Sequence, residues 1–311
     1  MKAVFFGTPD IAASCLERLL SVGVDVIYTV TRADKPKGRG YKVEYSPVKQ
    51  VSLDHGIPVY QPVTLRDGEA YELLSSLGAD VFITVAYGRI LPSDILAIPP
   101  MGCINMHASL LPYLRGASPI NRALMNGDKV GGVTVMYMDE GLDTGDIVLQ
   151  KTVDIPDDMD FGTYYDVITN LGCDALEDYV NLAANGQVTR TAQDHSLATY
   201  AAKVEKEETL LDFGESVDTV YNKIRGLSPS PCAYTFLAGK RVKVYKAEKG
   251  SGNGRPGSIL AANKKGIEIA VSDGSIVITE LQPEGKGRMT ASAFLAGNKV
   301  VPTEDAKGDT L

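Results

Sequence analysis

Short apolar runs alternate with helical patterns through the first half of the chain, and that rhythm restricts the fold more than any other feature. Strand-like Ala3 to Phe6, Val24 to Val30 and Ala79 to Val85 are separated by helix-like Ile11 to Leu20 and Gly68 to Leu77. A two-residue period that gives way to a 3.6-residue period and back again is what strands joined by crossover helices produce, and such units build a parallel sheet. The rhythm continues through a strand at Cys103 to Met106, a helix near Pro119 to Met125, a strand at Val133 to Met138 and a helix from Tyr164 to Ala184. From about Asn185 the pattern changes. A polar connector leads to a short helix, Val217 to Ile224, and to strand-like segments at Ala233 to Leu237, Val242 to Ala247, Gly257 to Ala261, Ile267 to Val271 and Ser275 to Leu281. Short strands with Gly-rich turns suggest a small barrel. The expectation is an α/β chain with a mostly parallel sheet domain over residues 1–188, a linker over 189–207 and a small β-barrel domain over 208–311. A length of 311 residues leaves room for both cores.

Charge and cysteine usage exclude several classes. Apolar runs such as Val81 to Val85 fall far short of the roughly 20 residues needed to cross a bilayer. The N-terminus runs from four apolar residues into a Gly-Thr-Pro turn, too short for a secretory signal, so a place in the cytoplasm without a membrane partner is expected; a monomer is expected as well. Cys15, Cys103, Cys173 and Cys232 form no C-x-x-C pair and read as reduced packing residues. A formal charge of -8 argues against a nucleic-acid partner, but it is unevenly spread. Residues 1–203 hold 16 basic against 25 acidic side chains, and residues 204–311 hold 15 against 14. Within the second part, residues 219–267 carry ten basic side chains and a single acidic one, Glu248. A smaller basic stretch runs from Arg32 to Lys49, and within it Arg32 to Pro47 has no periodicity and is rich in Gly, Pro and charge, which predicts a long exposed loop.

In a parallel sheet, ligands bind at the carboxyl ends of the strands. On the Cys103 to His107 strand the two-residue period points Asn105 and His107 to one face, where the strand should end. The strand from Val133 ends in Asp139-Glu140-Gly141-Leu142-Asp143-Thr144-Gly145-Asp146, a turn-rich loop able to bring a carboxylate beside the imidazole. Competing readings are weaker. Gly7-Thr8-Pro9 stands where a dinucleotide fingerprint would, but G-x-G-x-x-G is absent. Asp143-Thr144-Gly145 matches the aspartic protease tripeptide, a chemistry that needs two such loops. The acidic cluster lacks calcium-loop spacing and a His ligand, so no metal is expected.

Three segments then carry a resemblance: Asn105-Met106-His107-Ala108-Ser109-Leu110-Leu111-Pro112, Arg115-Gly116-Ala117-Ser118-Pro119-Ile120, and Gly132 through Asp146. Together they resemble the folate-dependent formyltransferases. Within that superfamily the branch acting on methionyl-tRNA is the nearest, on Phe6-Gly7-Thr8-Pro9-Asp10, Lys37-Gly38-Arg39-Gly40, Ser46-Pro47-Val48-Lys49, Ala198-Thr199-Tyr200-Ala201 and Ala233-Tyr234-Thr235. The resemblance covers nearly the whole chain. It implies a Rossmann-like catalytic domain joined to a smaller barrel of the OB type, 10-formyltetrahydrofolate as formyl donor, and the methionyl amine of initiator tRNA as acceptor.

Carried over by position, the resemblance assigns catalysis to Asn105, His107 and Asp143, in agreement with the reading from strand period and loop chemistry. It assigns folate binding to Ser109, Leu110, Leu111 and Pro112, and pterin-pocket walls to the backbone around Tyr87, Ile90 and Leu91 and around Asp139. It gives the tRNA acceptor end to the long basic loop, with Lys37, Arg39 and Lys42. The basic region of the second domain, with Lys240, Arg241 and Lys243, is suited to tRNA phosphates. The family often has Trp and Gly where this chain has Ser230 and Cys232. A formyltransferase acting on an amino sugar nucleotide would share the catalytic motifs, one acting on glycinamide ribonucleotide would lack the second domain, and a catalytically silent RNA-binding protein would keep only the fold.

Overall fold

The computed structural model describes residues 1–37 and 42–302. The chain divides into two compact units that are not continuous in sequence. The first comprises 1–117, 131–153 and 166–201, and the second gathers 118–130, 154–165 and the residues from 202 onward.

The first unit is built on a seven-stranded sheet. Its spatial order is Ile147–Asp154, Val130–Tyr137, Cys103–His107, Val81–Val85, Lys2–Gly7, Asp25–Val30, Val59–Tyr60. The five strands from Cys103–His107 to Val59–Tyr60 pair in parallel. Lys2–Gly7 and Val81–Val85 are buried along nearly their whole length, as strands covered on both faces must be. The helix Asp10–Ser21 buries Ile11, Cys15, Leu16 and Leu19, at about 1.5–3 kcal/mol for each large aliphatic side chain removed from water. From Lys2–Gly7 the chain winds outward through Asp25–Val30 to Val59–Tyr60, then returns to lay Val81–Val85 on the other flank. Where strand order reverses in such a sheet, here between Lys2–Gly7 and Val81–Val85, a crevice is expected at the carboxyl ends of the strands. Gly7 stands at its mouth, where a Cβ would come within 2.7 Å of Ala12, so only glycine lets the helix start so close to the strand.

Two features differ from the sequence expectation. The Val130–Tyr137 strand runs antiparallel to Cys103–His107, with His107 opposite Thr134 and Ile104 opposite Tyr137. The chain therefore re-enters the sheet from the end at which it left, and the loop after Tyr137 has to fold back to reach His107. The basic stretch expected as an irregular loop contains an antiparallel hairpin, Lys35–Lys37 with Lys42–Glu44. Its base is tied by Asp34, whose carboxylate accepts from Lys49 Nζ (2.5 Å) and Gln61 Nε2 (2.9 Å).

The second unit has a six-stranded antiparallel sheet, ordered Ala233–Leu237, Lys240–Gly250, Gly274–Pro283, Gly266–Val271, Ile259–Asn263, with Met289–Thr290 on Gly274–Pro283. Ala233–Leu237 alternates buried and half-buried positions, so one face packs on a core that includes Phe213, Ile224, Val244, Ile269 and Phe294. The helix Val217–Leu227 begins at Ser216, whose Oγ accepts the Thr219 amide (3.2 Å). Against it lies the helix Pro119–Asn126, joined by Asn121 Nδ2 donating to the Gly226 carbonyl (2.8 Å). A Cβ on Gly226 would sit 2.8 Å from Met125, so that position keeps the two helices close.

Candidate active site

His107 is 6% exposed and closes the Cys103–His107 strand. Its Nε2 lies 2.9 Å from the Leu114 carbonyl. A carbonyl can only accept, so Nε2 carries a hydrogen and only Nδ1 remains for chemistry. Nδ1 faces Asp143, with Oδ2 3.6 Å away, within ion-pair range but beyond a direct hydrogen bond. Leu114 presents its carbonyl from a left-handed turn (φ 58°), and the same turn takes the Ser109 hydroxyl, which donates to Tyr113 O (2.5 Å). Asn105 is half-buried two residues before His107 and thus on the same face of the strand, between Thr84 and Met136 in register.

Asp143 reaches the imidazole from the folded-back loop. Its Oδ2 also accepts the Gly116 amide at 2.8 Å, and its own backbone is left-handed, φ 54°. The loop is shaped by Asp139, whose Oδ1 accepts from Gly141 N (3.0 Å) and Thr144 Oγ1 (2.6 Å). Gly145 follows where a Cβ would lie 2.0 Å from Tyr137 O, so any side chain there would displace the loop.

The segment assigned to folate lies directly after His107. Thr134 Oγ1 donates to Ser109 O (2.6 Å) and accepts from Leu111 N (3.0 Å), while Gln150 Nε2 donates to Leu111 O (2.9 Å). These bonds fix Ser109 and Leu111, both buried, and leave Leu110 and Pro112 half-buried. Tyr87 and Leu91 point into the core with Phe6 and Phe82, so what they can offer a ligand is main chain. Burial pushes the Tyr87 phenol above its ordinary pKa. Ile90, by contrast, is 71% exposed.

Of the residues assigned to tRNA, Arg39 lies outside the described residues, and Lys37 and Lys42 are paired as backbone across the hairpin. Lys240 is exposed and donates to Asn298 Oδ1 (2.9 Å). Arg241 lies over the Tyr234 ring at 4.0 Å, and Tyr234 meets Phe236 edge-on at 6.0 Å. Lys243 stands opposite Tyr234 in register. Cations thus alternate with aromatic faces on the Ala233–Gly250 hairpin, an arrangement able to stack bases and meet phosphates. Among the described residues no group of His, Cys, Asp or Glu is placed to hold a metal, and no helix is long and apolar enough to cross a membrane.

Sequence reasoning passed over Gln193. It is 5% exposed, and its Nε2 donates to Asp143 O (2.9 Å) and Gly145 O (2.7 Å). Its partners are main-chain carbonyls about 50 positions away, so neither period nor motif marks it. The only cue was a polar residue in the connector beside the Thr199-Tyr200-Ala201 motif.

Residues 1–180 match the family described as formyl transferase, and residues 203–299 match the formyl transferase C-terminal domain. The chain belongs to the formyl transferase family. A methionyl-tRNA formyltransferase of Geotalea uraniireducens is 44% identical over 97% of this chain and 96% of its own length. Among solved structures, an N-formyltransferase of Helicobacter canadensis in complex with folinic acid and dTDP-3-aminofucose shares the fold, with a TM-score of 0.68 and 19% identity over 91% of this chain and 99% of that one. HypX of Aquifex aeolicus in complex with tetrahydrofolic acid gives a TM-score of 0.62 at 19% identity. That match covers 97% of this chain, which spans about half (49%) of HypX. The family relation agrees with the α/β class read from the sequence, a parallel-sheet domain followed by an antiparallel β domain.

Proposed function

We propose that this chain transfers the formyl group of 10-formyltetrahydrofolate to the amino group of methionine on initiator methionyl-tRNA, as a monomer in the cytoplasm, with Asn105, His107 and Asp143 at the reacting centre. The observation that carries the site is the imidazole of His107, fixed at Nε2 by Leu114 and turned by Nδ1 toward Asp143, at the carboxyl end of a central strand. The acceptor is supported by the name of the 44% identical relative and by the cation and aromatic face of the second unit. The donor is supported by the folate ligands of the fold neighbours. Ile90 and Leu142, 71% and 57% exposed on the two loops assigned to the pterin, suit a flat heteroaromatic ring.

In the reaction, the neutral amine attacks the formyl carbon and negative charge develops on the formyl oxygen. The Asn105 amide, and His107 when protonated at Nδ1, donate hydrogen bonds to that oxygen. Prearranged donors of this kind favour the tetrahedral centre over the planar one. The attacking nitrogen loses a proton, for which the Asp143 carboxylate, or a water it orients, is the acceptor. The tetrahedral centre collapses by breaking its bond to the folate nitrogen, which takes up a proton as tetrahydrofolate leaves. We assign residues 1–188 to this chemistry and 208–311 to holding the tRNA, with Lys37, Arg39 and Lys42 at its acceptor end and Lys240, Arg241 and Lys243 on its phosphates.

Labelled formyl-folate incubated with charged initiator tRNA, with a dTDP-amino sugar, or with buffer alone tests the assignment. Label on the methionyl amine is the expected result. Label on the sugar, or on neither acceptor, would overturn it.

A further inference from the structure

Arg115 is 2% exposed, and its guanidinium meets an amide and an imidazole: Nε and Nη2 donate to Gln193 Oε1 (3.2 and 2.6 Å), and Nη2 donates to His195 Nδ1 (3.0 Å). Holding a guanidinium out of water is costly unless its donors are met, so a buried arginine oriented this way fixes whatever it binds. Here it fixes one amide. With Oε1 taken by Arg115, the Gln193 Nε2 can only face the Asp143 and Gly145 carbonyls, at 2.9 and 2.7 Å. Those carbonyls flank the part of the loop that needs restraint, because Asp143 has φ 54°, a conformation unfavourable for a residue bearing a Cβ. On the other side, the Gly116 amide holds the Asp143 carboxylate at 2.8 Å. Gly116 is itself held by parallel pairing of Arg115–Gly116 with Tyr200–Ala201. One stretch of chain, 191–201, therefore steadies Asp143 twice: through Gln193 at its backbone and through Gly116 at its carboxylate.

We propose that Gln193 is a positioning residue for formyl transfer: anchored by buried Arg115, its amide keeps Asp143 in the left-handed conformation that aims the carboxylate at His107. The proposal rests on the assignment of Asp143 to the reacting centre. Gln193→Glu separates this role from a merely structural one. It keeps an acceptor for Arg115, and pairs that cation, while removing both hydrogens given to the Asp143 and Gly145 carbonyls. A displacement of a reacting group by about 1 Å can cost on the order of 100-fold, so the expected loss in kcat is about 10- to 100-fold, with KM for formyl-folate within about twofold of wild type.

The deciding experiment is a double-mutant cycle in the full chain with Asp143→Ala, reading kcat for formylation of charged initiator tRNA. Gln193→Glu is expected to lower kcat in the wild-type background and to have no further effect when Asp143 is already alanine. Additive losses, or wild-type kcat for Gln193→Glu beside an impaired Asp143→Ala, would overturn the positioning role. Wild-type kcat for Asp143→Ala would instead overturn the assignment of Asp143 itself. If Gln193→Glu does not fold, Gln193→Met, similar in shape and uncharged, takes its place in the cycle with the same expected outcomes.

Discussion

If His107 belongs to the reacting centre, as proposed, a single hydrogen bond selects its reacting atom. With Nε2 committed to the Leu114 carbonyl, the proposed role can be taken only by Nδ1. An asparagine side chain places its amide nitrogen near the position of Nδ1, and a glutamine places it near that of Nε2. His107→Asn is therefore expected to retain about tenfold more turnover than His107→Gln, with His107→Ala down by about 100-fold or more. Steady-state kcat of the three variants checks the order, and the reverse order would move the chemistry to Nε2. That Asn105 and His107 share a face at the end of one strand was legible in the sequence because a strand repeats every two residues, and this placement needs no distant contacts. Asp143 was legible as a carboxylate in a turn-rich loop, but its left-handed backbone was not. Cys232 is a second such case. It sits at φ 74°, where the family often has glycine, yet it is 2% exposed, its Sγ donates to Val244 O (3.2 Å), and burial pushes its thiol pKa up to about 11.

Long-range ties complete what local pattern begins. The helix Pro119–Asn126 could be read from its apolar spacing, but its grouping with the second unit could not, because that depends on partners about 80 to 100 positions away. One such tie is the fork between Arg122 and Glu208, at 2.8 Å (Nη1 to Oε1) and 3.0 Å (Nη2 to Oε2). The Arg122 guanidinium beside Glu208 holds its carboxyl down to about 2. A carboxyl whose folded pKa is depressed contributes stability above its ordinary pKa of about 4.3 and loses it as the pH falls toward the folded value. Glu208 is partly open to solvent, so the pair is expected to contribute only about 0.5–1 kcal/mol at neutral pH. Urea unfolding of wild type and Arg122→Met should show a gap at pH 7 that narrows between about pH 5 and pH 2. A gap that does not change with pH would contradict the pairing. The antiparallel entry of Val130–Tyr137 escaped the sequence because strand period carries no direction. The hairpin at Lys35–Lys37 and Lys42–Glu44 escaped it because three-residue strands show no period at all.

An acidic chain is assigned an acidic partner, and the uneven distribution of charge resolves the conflict. The first 203 residues carry the excess of acid, while the second part is close to neutral overall and carries most of its cations on the Ala233–Gly250 hairpin and the segments after it. Reversing Lys240, Arg241 and Lys243 to Glu is expected to weaken tRNA binding and to lower the slope of log affinity against log salt by up to about 3, roughly 0.9 for each phosphate no longer neutralised. Binding measured across a salt series checks this, and an unchanged slope would exclude the hairpin from phosphate recognition. The two-part organisation was legible because the period of the apolar pattern changes near residue 185, whereas the discontinuous membership of the units was not, since it is set by packing alone. The chemistry itself is tested most directly by the single-turnover rate of formyl transfer in Asn105→Ala with saturating formyl-folate and charged initiator tRNA. A fall of about 100- to 1000-fold, with formyl-folate still bound, is expected for loss of one donor to the developing oxyanion, and a rate close to wild type would contradict the shared-charge site.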